Sequence, residues 1–188
     1  METNDIKLMV QSTPNPNALK FVLSIPVKTE GKATYKRPID CVGNNLAATL
    51  FALEHVAEVF FYDNYITVTQ NGNAEWDELE TKVKKIILEN IAAHDPNFTI
   101  PELQKIIRPK SDDPEIAKIE AILNQTIRPA LQMDGGDLDV VDLEGNVLKV
   151  AYQGACGSCP SSTMGTLKAI ENLLRNEYKP DLVVELAS

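Results

Sequence analysis

Gly154-Ala155-Cys156-Gly157-Ser158-Cys159-Pro160 puts two thiols, two glycines and a helix-starting proline into a single turn, and the rest of the 188-residue chain reads as the frame that holds it. A Cys-x-x-Cys spacing lets both sulfurs face one side of the turn, and the thiolate is the species that ligates metal or attacks a disulfide. Gly154 and Gly157 allow backbone angles that bulkier residues resist, so peptide N–H groups can turn toward sulfur. Pro160 suits the first helical position ahead of the helix-length run Ser161 to Glu177, whose positive end favours anionic sulfur. Before the turn, Leu138 to Leu143 and Val147 to Gln153 predict a hairpin around Glu144-Gly145-Asn146. After it, Met164, Leu167, Ile170 and Leu174 repeat at helical spacing, and Leu182 to Leu186 alternates as a last strand. Strand, helix, strand predicts a right-handed crossover. The thiol turn is then expected at one edge of a small helix-backed sheet, open to a second copy of the chain.

Three chemistries compete for this turn, beside the plain alternative of two inert thiols. Thiol–disulfide exchange is the usual reading of Cys-x-x-Cys near alternating strands and helices. It wants a proline-bearing strand well downstream, facing the sulfurs, and beyond Pro160 only Pro180 follows, in a charged segment directly after a helix. A structural zinc takes four Cys or His ligands, whereas His55 and His94 lie far upstream and no second Cys-x-x-Cys exists. An iron–sulfur cluster also takes four thiolates as a rule. One chain supplies two, so two chains would have to meet across the cluster.

The preceding residues predict two domains joined by a linker. In the first, over residues 1–95, Lys7 to Gln11 and Leu19 to Leu23 read as strands around the rigid Thr13-Pro14-Asn15-Pro16-Asn17 connection. A loop rich in charge, with Gly31 and Pro38, leads to a helix capped by Asn44 or Asn45 that buries Leu46, Leu50 and Leu53. Val56 to Tyr62 and Tyr65 to Thr69 flank a two-residue turn, Asp63-Asn64. A helix from Glu75 to Ala93 then sets Leu79, Val83, Ile86, Ile87 and Ile91 on one face. The expected order is strand, strand, helix, strand, strand, helix. Phe60-Phe61-Tyr62 reads as core plus strand edge, Cys41 as a small buried apolar side chain, and His55 and His94 as solvated caps at helix ends.

Prolines at 96, 101, 109 and 114 mark residues 96–111 as the linker, with Leu103, Ile106 and Ile107 suited to a short helix within it. The second domain, residues 112–188, opens with a helix start in which Asp112 stands as the cap three residues before Glu115, with Pro114 between. Ile116, Ile119, Leu123 and Ile127 line the inner face of that helix until Pro129 disturbs it. Asp134-Gly135-Gly136-Asp137 resembles a metal or phosphate loop at first sight, but a helix-to-strand turn needs the same backbone freedom, and the turn is the expectation. The fold class is α+β: two small domains, each a short mixed or antiparallel sheet backed by helices on one face.

Composition narrows the partners. The hydrophobic fraction of 44% is ordinary for a globular chain, and the net charge is -9. The charge is uneven: residues 1–110 carry 12 basic and 14 acidic side chains, residues 111–188 carry 6 and 13. Such an acidic surface repels phosphate backbones and anionic lipid, which argues against nucleic acid or a membrane as partner. Three cysteines are too few for a disulfide framework, and the acidic start lacks the features of a signal peptide. A cytoplasmic protein is the expectation from these signs.

The residues also carry a family resemblance. Ile127-Arg128-Pro129-Ala130-Leu131, Met133-Asp134-Gly135-Gly136-Asp137-Leu138 and Gln153-Gly154-Ala155-Cys156-Gly157-Ser158-Cys159-Pro160-Ser161-Ser162-Thr163-Met164 closely resemble the C-terminal domain of NifU-like iron–sulfur cluster scaffold proteins. Pro14-Asn15-Pro16-Asn17-Ala18-Leu19-Lys20-Phe21, the hairpin and Trp76 resemble the Nfu-type N-terminal domain of the same family. His55 departs from the pattern, standing where members tend to have glycine. The resemblance implies that Cys156 and Cys159 bind a cluster shared by a homodimer and passed to apo acceptor proteins; 4Fe-4S, ahead of 2Fe-2S, is the expectation for its type. It also brings the cluster assembly machinery into consideration as a partner. With no general base or nucleotide loop in the chain, the expected activity is ligand exchange and not enzymatic turnover. The alternatives kept open are a thiol–disulfide oxidoreductase on the same cysteines and a zinc-bridged structural dimer.

Overall fold

The computed structural model describes residues 6–100, 113–157 and 160–187, with side chains omitted over 160–164. The chain divides into two compact units, Met1–Pro101 and Glu102–Ser188. Residues 101–112, where the short linker helix was expected, lie outside the described residues, as does Cys159.

The first unit is a five-stranded antiparallel sheet in the order β1-β2-β5-β4-β3. Its strands are β1 (Leu8–Ser12), β2 (Ala18–Leu23), β3 (Lys28–Tyr35), β4 (Val56–Asp63) and β5 (Tyr65–Gln70). Helices α1 (Asn45–Phe51) and α2 (Trp76–Asn90) supply the core on one face. Leu46 and Leu50 meet Leu79, Val83 and Ile87 over Phe21, Phe61, Ile66 and Val68 there. Asn44 is the N-cap of α1, its side chain accepting from the Ala47 N–H at 3.0 Å. The two-residue turn at Asp63-Asn64 is present, with Tyr62 opposite Tyr65 and Asp63 at a φ of 45°.

Strand β3 corrects the expectation of a loop. Its contribution to the apolar core is Ala33 and Tyr35, and the pairing with β4 slips between Lys28 and Lys32, around Gly31 at a φ of 68°. A bulge and alternating charge hide a strand's period, and both are ordinary protection for a sheet edge. Because β3 takes the edge, Phe60 and Phe61 are fully buried on an interior strand.

His94 is also no solvated cap. Its ring stacks on Phe61 with centroids 5.6 Å apart, packs edge-on to Phe98, and brings Nε2 within 2.8 Å of the Val27 carbonyl. Residues Pro96 to Ile100 continue this packing, since the Thr29 N–H donates to the Pro96 carbonyl and Phe98 and Ile100 lie on the core. Burial holds the His94 pKa below its ordinary 6.5, despite the Val27 contact and Asp95, with Lys28 adding to the depression. A histidine kept neutral by folding takes up a proton more readily when unfolded. The first unit is therefore expected to keep its full stability above about pH 6.5 and to lose part of it as pH falls toward the lower folded-state value. Urea melts of wild type and His94→Gln across pH 5 to 8 check this, the variant losing that part of the slope.

His55 explains its own departure from the family pattern. Its backbone sits at a φ of 73°, where a side chain is strained and glycine is not. Its ring lies 3.7 Å from the exposed Glu54 carboxylate. Left-handed backbone costs a non-glycine residue roughly 1–2 kcal/mol, part of which glycine returns through unfolded-state entropy. His55→Gly is expected to stabilise the first unit by about 0.5–1 kcal/mol, read as a raised denaturation midpoint.

The second unit has α3 (Pro114–Thr126), α4 (Arg128–Met133), β6 (Gly136–Glu144), β7 (Val147–Gly154), α5 (Pro160–Glu177) and β8 (Val183–Leu186). The strands lie in the order β6-β7-β8, the first pair antiparallel and the second parallel. A parallel neighbour requires a crossover, and α5 is that crossover. The residue capping α3 is Asp113, accepting from the Glu115 N–H at 2.8 Å, with Pro114 opening the helix. Ile116, Ile119 and Leu123 bury on Leu138, Val140, Leu148, Val150, Ile170 and Leu174. Glu171 fastens α5 to the sheet, accepting from the Val184 N–H at 3.2 Å and pairing with Lys168 and Arg175. No helix among the described residues is long and apolar enough to cross a membrane.

Candidate functional site

The thiol turn leaves the end of β7, the middle strand in the order β6-β7-β8. β8 pairs with β7 over Val147–Val150, and the last residues of β7 before the turn, Ala151 to Gly154, are held by β6. Gly154 closes β7 opposite Gly136, the last rung of the β6–β7 ladder, and takes a φ of 62° that turns the chain away. The buried Ala155 then donates its N–H to the Gly135 carbonyl at 3.2 Å, and the Gly157 N–H returns to the Gly154 carbonyl at 3.0 Å. Cys156 sits between these two bonds. Its side chain is half-buried against the core of the unit, and it forms no disulfide. Helix α5 begins at Pro160, as expected.

The Gly135-Gly136 loop is the other wall of the site. It is the helix-to-strand turn expected between α4 and β6, and it is also the surface against which the sulfur rests. A Cβ built on Gly136 would lie 2.6 Å from Cys156 Sγ, 2.7 Å from the Gln153 carbonyl oxygen and 3.0 Å from the Cys156 nitrogen. Gly136 is not among the glycines with positive φ, unlike Gly135 at 80°. Its requirement is one of space. A glycine opening a strand signals such close approach in general, but adjacent Gly135 made the pair read as a turn alone.

A buried polar network braces this wall. Arg128 Nη1 donates to Asp137 Oδ1 at 3.0 Å and to the Leu138 carbonyl at 2.6 Å, while Nη2 donates to Glu120 Oε2 at 2.6 Å. Burial opposes the charge on Arg128, yet Asp137, Glu120 and Asp139 outweigh it and hold the guanidinium pKa above its ordinary value. One residue along the ladder, buried Gln153 donates to Asp139 Oδ2. Tyr152, on the core side of β7, has a buried hydroxyl whose pKa is raised by burial and further by the neighbouring Cys156 sulfur, with Thr166 easing it slightly. Arg128, Asp137 and Gln153 stand in the matched motifs, but their roles as braces were not legible from the sequence.

Cys41, in the first unit, is a different kind of thiol. It is 3% exposed, and burial, aided by Asp40, pushes its pKa up to about 11. That is the inert core cysteine expected from its isolation. Among the described residues no group of three or more His, Cys, Asp or Glu side chains is arranged to hold a metal ion.

With this geometry in view, comparison with known proteins is specific. The NifU-like domain matches residues 119–185, and the domain described as scaffold protein Nfu/NifU N terminal matches residues 8–94. This chain belongs to the NifU-like family, of Nfu type. It is 34% identical over 172 residues to NifU-like protein 4, mitochondrial, of Arabidopsis thaliana, covering 89% of this chain and 61% of that protein. It is 34% identical over 169 residues to the NFU1 iron-sulfur cluster scaffold homolog, mitochondrial, of Homo sapiens, covering 89% of this chain and 66% of that one. This Nfu-type chain thus spans about three fifths of the length of its plant relative. A solution structure of a NifU-like protein from Saccharomyces cerevisiae is similar with a TM-score of 0.44 and 19% identity, over 52% of this chain and 86% of that one.

The relatives correct one expectation. The plant, human and fly proteins are all named mitochondrial, against the cytoplasmic placement drawn from cysteine usage and the N-terminal residues. Few cysteines and no disulfide framework mark a reducing environment, and that sign does not separate the cytosol from other reducing compartments.

Proposed function

We propose that this NifU-like chain is an iron–sulfur cluster scaffold and carrier, in which Cys156 and Cys159 of two subunits together hold one cluster and release it to apo-proteins. The observation that carries the reading is Cys156 itself: half-buried, undisulfided, seated against the Gly136 backbone where β7 ends its pairing with β6, and one of only two thiols in its turn. A cluster takes four thiolates as a rule, so two chains complete the set. A 4Fe-4S cluster suits that count. A cluster shared across a subunit boundary stays within reach of incoming thiolates, which displace Cys156 and Cys159 one bond at a time with no change of oxidation state required.

The cluster is cargo in this reading, and the chain is a carrier without turnover. Acceptors are apo-proteins with open cysteine sites, and a cluster assembly machinery is the natural donor. The acidic second unit bears the site, and the first unit serves as a docking module.

Anaerobic reconstitution with iron and sulfide, followed by mass spectrometry of the intact assembly under non-denaturing conditions, tests the proposal. The expected result is a brown dimer with one cluster per pair of chains and transfer of colour to an apo-ferredoxin. A colourless protein that reduces insulin disulfides would favour the oxidoreductase, and a zinc-containing dimer that takes up no iron would favour a structural bridge.

A further inference from the structure

Gly136 has no role in the proposed ligand set, yet a Cβ built on it would lie only 2.6 Å from the Cys156 sulfur. Two facts separate it from its neighbours. Its backbone does not need the left-handed region, so glycine is not there for the turn. Its missing Cβ would fall inside contact distance of three atoms, one of them Cys156 Sγ at 2.6 Å. The other two, the Gln153 carbonyl oxygen at 2.7 Å and the Cys156 nitrogen at 3.0 Å, are backbone atoms that cannot rotate aside. Gly157 shows a milder crowding, 3.2 Å to the Tyr152 carbonyl oxygen, and Gly165 in α5 meets nothing within 4 Å.

We infer that Gly136 is a positioning residue for the ligand sulfur: its bare Cα is the seat that fixes where Cys156 Sγ lies and how it faces out of the turn. The inference rests on the reading of Cys156 as a cluster ligand, and it adds a determinant outside the cysteine pair. Physically, a methyl group at 136 has two ways to be accommodated. The sulfur rotates about its single side-chain torsion, or the end of the β6–β7 ladder opens at Gly136 and Gly154. Each displaces the sulfur, and a shared cluster requires both subunits to present their sulfurs at matched distances. Arg128 gripping Asp137 and the Leu138 carbonyl, directly after Gly136, keeps the seat from yielding instead.

The test uses Gly136→Ala in the full chain, with Gly165→Ala as a control of the same chemical change in open space. Three readouts apply: iron bound per chain after anaerobic reconstitution, the rate at which iodoacetamide labels Cys156 in the metal-free protein, and the melting temperature in the presence and absence of Cys156→Ala. Gly136→Ala should bind about tenfold less iron or worse, the scale of loss seen when a supporting group of a metal ligand is removed. Labelling of Cys156 should speed up several-fold, while Gly165→Ala leaves both values at wild type. The melting temperature should fall more in the Cys156 protein than in the Cys156→Ala background, where the collision with sulfur is gone and only the backbone contacts remain. That comparison still decides the matter if Gly136→Ala takes up no iron because it is poorly folded. Equal melting losses in the two backgrounds, with labelling and iron uptake at wild-type values, would overturn the inference. Should the wild type bind no iron at all, the scaffold reading fails, while labelling and melting still judge the seat.

Discussion

Arg128→Ala is expected to lower the stability of the second unit by about 3–5 kcal/mol, the cost of leaving a buried carboxylate without its partner. The side chains of Arg128 and Asp137 are 12% and 3% exposed, so water cannot take over when either is removed. Asp137 keeps a 2.7 Å bond from the Leu138 N–H, which softens the loss without supplying a counter-charge. Domains of this size have roughly 5–15 kcal/mol of stability in all, so the change consumes much of the total. The guanidinium also joins three elements, accepting nothing and donating to Glu120 of α3 and to Asp137 and Leu138 of β6 from the start of α4. Lysine cannot reproduce three directed bonds from one planar head, and Arg128→Lys should fall between wild type and alanine. Chemical denaturation of the three proteins checks the order. A double variant, Arg128→Met with Asp137→Leu, should recover part of the loss, because it removes the buried Asp137 charge together with its partner and leaves Glu120, whose side chain is 32% exposed, to be solvated. A loss below 1 kcal/mol in Arg128→Ala would show that the pair is solvated in solution.

The elements that read clearly in the sequence were those with an unbroken period and a residue-specific stop. Helix α2, with Leu79, Val83 and Ile87 on one face, and α5, opened by Pro160, are of this kind. The caps were nearly as clear, Asn44 as expected and Asp113 one residue from its expected place. Strand β3 was hidden because an edge strand buries few side chains, and Gly31 interrupts even those. His94 was misjudged because nothing local shows that Phe61 and Phe98 come to meet it from distant positions in the chain. The site divided in the same way. Cys156 announces itself by spacing and chemistry, but the seat at Gly136 and the brace at Arg128 arise from pairing across the β6–β7 ladder. Spacing along a chain does not carry that information, although the shared glycines at its last rung, Gly136 and Gly154, were the trace it left.

Cys156→Ala should abolish both cluster binding and cluster-dependent dimerisation. In the proposed assembly the variant pair retains two thiolates where four are required, and the change removes a bond to metal and not merely a group that orients one. Since losing an orienting group already costs about 10–100-fold in affinity, iron retention is expected to fall by more than about a hundredfold. The association of the two chains is linked to the same event, because a cluster that binds only the paired state stabilises pairing by mass action. Sedimentation of the reconstituted wild type should therefore give a coloured dimer that a chelator converts to colourless monomer, with bleaching and dissociation following one time course. Cys156→Ala should sediment as the colourless form from the start, and Cys159→Ala should do the same. Cys41→Ala provides the contrast: its thiol is held neutral in the core of the first unit, with its pKa raised by burial to about 11, so iron content and dimerisation should stay at wild-type values. The scheme depends on the cluster being divided between chains. A coloured monomer with full iron content, or a cluster that survives the loss of Cys156, would require the missing ligands to come from within one chain.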